Sequence, residues 1–110
     1  MNFNQYQLQS REFAVYRNMG KNLIYTALGL AGETGEFVDN VKKMIRDYDF
    51  KEGDNTIPDG RRKMAVDELG DCLWYIANCA TELGISLDEL AVKNINKLTL
   101  RKINGKIHGR

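Results

Sequence analysis

Helical periodicity on either side of one turn-rich break constrains this chain more than any other feature. From residue 22 to 47, Leu23, Ala27, Leu30, Phe37, Val41, Met44 and Ile45 recur at three- and four-residue steps. From residue 61 to 83, Leu69, Leu73, Ile76, Ala80 and Leu83 do the same. The segment between, DYDFKEGDNTIPDG over residues 47–60, is dense in turn formers and carries Pro58, the one proline of the chain. Two long helices joined this way predict an antiparallel hairpin. A helix is also predicted over 4–16, on an irregular apolar stripe of Tyr6, Leu8, Phe13, Val15 and Tyr16. Gly84 is placed to end the third helix, and Ser86-Leu-Asp-Glu89 has the form of a capping box opening a fourth, to about Leu100. RKINGKIHGR reads as a loose basic tail. The expectation is all-α, an antiparallel bundle of about four helices in one domain over 1–103, with a basic tail over 104–110.

Charge and composition narrow the function classes. Sixteen basic against 15 acidic residues give a net charge of +1, too small a field to favour nucleic acid or an anionic membrane. No apolar run reaches the roughly 18 residues a membrane span needs. The start, MNFNQYQLQS, is polar and uncharged, unlike a secretory signal. Cys72 and Cys79 stand seven apart in one predicted helix, about 10 Å along its axis, which is too far for a mutual disulfide. Reduced thiols in a cytoplasmic protein follow.

The chemistry lies in two acidic pairs, Glu33-x-x-Glu36 and Glu68-x-x-Asp71. A three-residue step keeps both members of each pair on one helix face. In an antiparallel hairpin, partners sit symmetrically about the turn. Glu36 with Glu68 and Glu33 with Asp71 both centre on residue 52, inside the predicted connection. The hairpin that the apolar pattern calls for therefore brings four carboxylates side by side. Their mutual repulsion requires a cation, and hard oxygen ligands suit Mg²⁺ or Mn²⁺. Asn40 and Lys43 extend the acidic face of the second helix, and Tyr75 and Asn78 that of the third. Asn94, Lys97 and Arg101 share a stripe on the fourth. Acids that hold metal beside bases that neutralise an anion describe a phosphate-bearing ligand. Gly29, Gly32 and Gly35 recur every three residues and permit close approach by a helix or a ligand. Trp74 and Phe37 read as core or dimer packing, and Asp39 and Asp67 as surface or supporting acids.

LGLAGETGEFVDNVKK, ELGDCLWYIANCATELGISLDEL and NINKLTLRK resemble the MazG-type nucleoside triphosphate pyrophosphohydrolases of the all-α NTP pyrophosphatase superfamily, over roughly residues 22 to 102. The resemblance implies a helical bundle that forms homodimers or homotetramers, with catalytic sites near subunit interfaces. It implies Mg²⁺-dependent hydrolysis of a (deoxy)nucleoside triphosphate to the monophosphate and pyrophosphate. By position, Glu33, Glu36, Glu68 and Asp71 match the family's metal-binding acids, and Tyr75, Asn94 and Lys97 match positions near the nucleotide. Many members carry a doubled acid where this chain has Gly32, so Glu33 and Glu36 are both candidates for the catalytic base. Lys43, Lys97 and Arg101 would steady the phosphates while water attacks the α-phosphorus in line. Two other readings stand beside this one. The first is a non-catalytic helical dimer binding nucleotide or metal, and the second is a purely structural bundle.

Overall fold

The computed structural model describes residues 1–47, 53 and 56–105. Helix α1 spans Phe3–Ser10 and runs into a short 3₁₀ turn at Arg11–Phe13; α2 spans Leu23–Arg46, α3 Asp59–Leu83 and α4 Leu87–Ile103. Among the described residues every regular element is helical. The all-α expectation is met.

Local chemistry sets the helix ends. The Asn22 side chain accepts the Tyr25 N–H at 3.0 Å and opens α2, while Lys43 and Arg46 oppose the negative end of its dipole. Pro58 stands just outside α3, where its missing N–H costs nothing. At the other end Gly84 adopts φ 73°, a left-handed conformation that glycine reaches without strain. Replacing Gly84 with Ala should therefore lower stability by about 1 kcal/mol in thermal or urea melts, although alanine is the better helix former. Ser86 Oγ accepts the Glu89 N–H at 3.1 Å, one half of the expected capping box. A full box forms instead at Asn2 and Gln5, which bond reciprocally at 2.8 and 2.9 Å.

Two boundaries differ from the sequence expectation. The fourth helix continues through Ile103, because Arg101 and Lys102 favour its C-terminal end and Asn104 N–H closes on Leu100 O at 3.0 Å. The tail expected over 101–110 is thus helical at its start, and residues 106–110 lie outside the described part. The first helix stops at Ser10, six residues short of Tyr16. Its polar residues are recruited by other elements. Gln7 Nε2 donates to Ile85 O at 2.9 Å and Thr81 Oγ1 at 3.2 Å, and its Oε1 accepts Leu87 N–H at 2.8 Å. One amide thus ties α1 to the end of α3 and caps the start of α4.

The α2–α3 hairpin is the main packing unit, and α1 lies across α3 and α4. Ala77, Ala80 and Leu87 form the small buried core, flanked by Tyr6, Ile76 and Ile85. A second, polar knot fastens the segment before α2. Glu82, whose side chain is fully buried, accepts Gly20 N–H at 2.8 Å and Asn22 N–H at 2.6 Å, with Arg11 Nη2 at 3.7 Å. Asn78 was expected on the acidic face. It is buried instead, accepting from Arg11 at 3.1 Å and donating to Trp74 O at 2.9 Å and Ser10 Oγ at 3.3 Å.

A single chain leaves much apolar surface uncovered. Of the seven apolar residues on the expected α2 stripe only Met44 is fully buried, and Ile24, Leu28, Val66 and Leu69 are each at least half exposed. The radius of gyration, 16.8 Å, exceeds the roughly 13 Å of a compact chain of this size.

Candidate metal centre

Helical register builds the site. Along α2, Gly29, Glu33, Glu36, Asn40 and Lys43 follow one another at three- and four-residue steps, and along α3 Met64, Glu68, Asp71 and Tyr75 do the same. Antiparallel pairing sets these two rows against each other. One carboxylate oxygen each from Glu33, Glu36 and Glu68 lies within 4.8 Å of the other two. Asp71 is outside this trio but stands beside Glu33. Burial first, and then the charges of Asp71, Glu36 and Glu68, hold the Glu33 carboxyl above its usual range.

Glu68 shows most directly what the cluster lacks. Its Oε2 is buried and receives no hydrogen bond from the described residues. Glu33, another carboxylate, lies within hydrogen-bonding reach of the Glu68 side chain and can donate to it only by carrying a proton. A buried acceptor without a donor costs about 1–3 kcal/mol, and a cation at this point would remove that cost. Oxygens bound to one octahedral Mg²⁺ at about 2.1 Å stand about 3.0 Å apart when adjacent and about 4.2 Å when opposite, so side-chain shifts of about 1 Å each would close the trio on an ion. The donor set is all oxygen, which fits Mg²⁺ or Mn²⁺ better than Zn²⁺.

Two of the trio, Glu36 and Glu68, line a cleft of about 430 Å³ together with Gly32, Gly35, Asp39, Asn40, Lys43 and Met64. Lys43 is held there by Asp39, whose carboxylate lies 2.9 Å from Lys43 Nζ and 3.0 Å from Lys42 Nζ. Hydrogen bonds from Lys43 and then Lys42 depress the Asp39 carboxyl to about 2. The sequence reading put Asp39 at the surface or in a supporting role. Its i+3 and i+4 spacing to two lysines was the signal that it would orient them.

Tyr75 sits at the other end of the trio. Its ring lies against the backbone of Gly29, makes an edge contact with Trp74 at 5.0 Å, and has the Tyr25 hydroxyl within hydrogen-bonding reach. Burial, then Tyr25, then the charges of Glu33 and Asp71 hold the Tyr75 phenol above its usual range. The glycine row divides accordingly. Gly29 is met by Tyr75, whereas Gly32 and Gly35 face open space beside the acids.

The stripe on α4 lies elsewhere in the chain. Asn94 and Lys97 line a separate concavity of about 330 Å³ with Ile85, Leu90 and Lys93, and Arg101 follows one turn on, half-buried. None of the four acids borders it. Cys72 and Cys79 are free thiols, and Cys72 Sγ lies 3.9 Å from Thr34 Oγ1 across the hairpin.

Fold and site together define an all-α protein whose central hairpin carries a carboxylate cluster suited to a divalent cation. The MazG nucleotide pyrophosphohydrolase domain matches residues 22–105, and the chain belongs to that family. Over 114 aligned positions it is 36% identical to the Gene 37 protein of Mycobacterium phage L5, an alignment covering 99% of this chain and 96% of that protein. No solved structure matches it significantly.

Proposed function

We propose that this chain is a Mg²⁺-dependent nucleoside triphosphate pyrophosphohydrolase, with Mn²⁺ able to substitute. It would cleave a (deoxy)nucleoside triphosphate between the α and β phosphates, giving the monophosphate and pyrophosphate, in nucleotide-pool house-cleaning. The observation that carries this reading is the Glu33–Glu36–Glu68 trio with its unpartnered buried oxygen, beside a cleft holding Lys43. Membership of the MazG family supplies the reaction class.

Glu33, Glu36 and Glu68 would hold the cation, with Asp71 completing the set from its place beside Glu33. Bound Mg²⁺ supplies positive charge that offsets both the carboxylates and the polyphosphate. Glu33, whose carboxyl is held above its usual range and so made more basic, would accept a proton from the attacking water, and Glu36 is the alternative base. Lys43 would contact the departing phosphates. Tyr75 would bound the nucleotide at the far end of the trio.

The proposal includes a homodimer or homotetramer. The exposed apolar side chains of α2 and α3 and the open shape of the protomer support it. Assembly would also give Asn94, Lys97 and Arg101 a role, since a neighbouring subunit could present them to the triphosphate. A cytoplasmic location accords with two free thiols and with no helix, among the described residues, being long and apolar enough to cross a membrane.

The test is pyrophosphate release from a panel of canonical, oxidised and methylated triphosphates, with Mg²⁺, with Mn²⁺ and without metal. Stoichiometric pyrophosphate and monophosphate from at least one substrate, only with metal, is the expected result. No release from any triphosphate would rule out the enzyme. A rise in melting temperature with Mg²⁺ and nucleotide would then favour the non-catalytic binder, and no rise the structural bundle.

A further inference from the structure

We infer that Gly29 is a positioning residue for the metal centre: its bare backbone seats the Tyr75 ring and so sets how deeply α3 packs against α2, and with it the spacing of the carboxylates. The inference rests on the metal-centre reading above and adds to it a residue that carries no functional group.

The geometry is specific to this glycine. A methyl built on Gly29 would fall onto Cε1 of the Tyr75 ring, with Cζ at 2.5 Å and Cδ1 at 2.6 Å, closer than any side chain tolerates. The same methyl on Gly32, Gly35 or Gly70 meets nothing within 4 Å. Gly29 precedes Glu33 by one helical turn, and Tyr75 follows Asp71 by one turn, so the contact lies one turn from the acids on both helices. The pair also centres on residue 52, as the two acidic pairs do. The clash falls on the ring itself, and the ring is held by two neighbours. Trp74 packs against its edge, and Tyr25, which stacks on Tyr16 at 4.8 Å, stands at its hydroxyl. A side chain at position 29 would therefore drive the ring off these contacts or displace α3, and we infer the second, which carries Glu68 and Asp71 away from Glu33 and Glu36. Close packing transmits such a shift rather than absorbing it.

The experiment compares the full-length protein with Gly29→Ala, Gly70→Ala, Tyr75→Ala and the double variant Gly29→Ala/Tyr75→Ala. Mn²⁺ affinity is measured by calorimetric titration, together with melting temperature. Both glycine replacements improve helix propensity equally, so they separate a steric effect from a helical one. Gly70→Ala should bind Mn²⁺ like the wild type. Gly29→Ala should weaken Mn²⁺ binding by roughly tenfold or more, the scale of changes beside metal ligands. In turnover, more of the loss should fall on the metal concentration needed than on kcat at saturating metal. The double variant should bind Mn²⁺ more tightly than Gly29→Ala, because removing the ring removes the clash. A folded Gly29→Ala with wild-type Mn²⁺ affinity would overturn the inference while leaving the metal centre standing. Should Gly29→Ala fail to fold, a folded double variant sustains the inference and an unfolded one overturns it. Absence of Mn²⁺ binding by the wild type would overturn the metal centre, and this inference with it.

Discussion

Replacing Glu68 with Gln is expected to abolish metal-dependent turnover while making the metal-free protein more stable. The two effects have one cause. Glu68 Oε2 is buried without a donor among the described residues, and the Glu33 carboxylate lies beside the same side chain, so the native side chain is held in an unfavourable place in the absence of a cation. Glutamine keeps the shape, supplies an amide N–H toward Glu33 and removes one negative charge. Relief of the unsatisfied acceptor is worth on the order of 1 kcal/mol, or about 4–8 °C in melting temperature for a domain near this size. The same change removes an anionic ligand from the trio. Metal stabilisation of developing charge is worth several kcal/mol, so turnover should fall on the order of 10³-fold. Melting curves without metal and pyrophosphate release with Mg²⁺ check the two halves separately. A variant that loses stability and activity together would mark Glu68 as structural.

The second large effect concerns Glu82, which has no part in the chemistry. Its buried carboxylate gathers two backbone N–H groups, from Gly20 and Asn22, together with the Arg11 guanidinium. Glu82→Ala would strand the Asn22 N–H and leave Arg11 without its carboxylate. The Arg11 contribution is partly screened by water, since that side chain is 23% exposed and the pair is 3.7 Å apart. A loss of about 2–3 kcal/mol is expected, seen as a melting temperature lowered by on the order of 15 °C. Glu82→Gln should lose less, because one acceptor remains. Eleven residues, or three helical turns, separate Glu82 from Asp71, so Mn²⁺ affinity measured well below the melting point should be unchanged. A melting temperature within about 2 °C of wild type would show that the knot contributes nothing.

Features governed by local sequence were legible before any coordinates. The hairpin followed from apolar period and turn composition, and its register followed from acids placed symmetrically about residue 52. Gly84 and Ser86 marked their helix ends through chemistry confined to a few neighbouring residues. The misses share another origin. Ser10 ends α1 because Gln7, Ser10 and Arg11 bond to groups more than 60 residues away, and no local pattern encodes such partners. Asn78 lies in helical register with Asp71 yet is buried, because α1 and the 3₁₀ turn cover that part of α3. The glycine row signalled close approach correctly, but only Gly29 is approached, since side-chain size on the facing helix decides which glycine is met. The apolar stripes were correct as helical periods and misleading as a guide to burial in a single chain. Leu69, for example, is half exposed.

Crystals grown with Mn²⁺ and examined for anomalous scattering test the central claim most directly. The account predicts a peak between α2 and α3, within about 2.3 Å of carboxylate oxygens from Glu33, Glu36 and Glu68. A manganese ion bound elsewhere, or these three side chains turned away from one another in its presence, would contradict it.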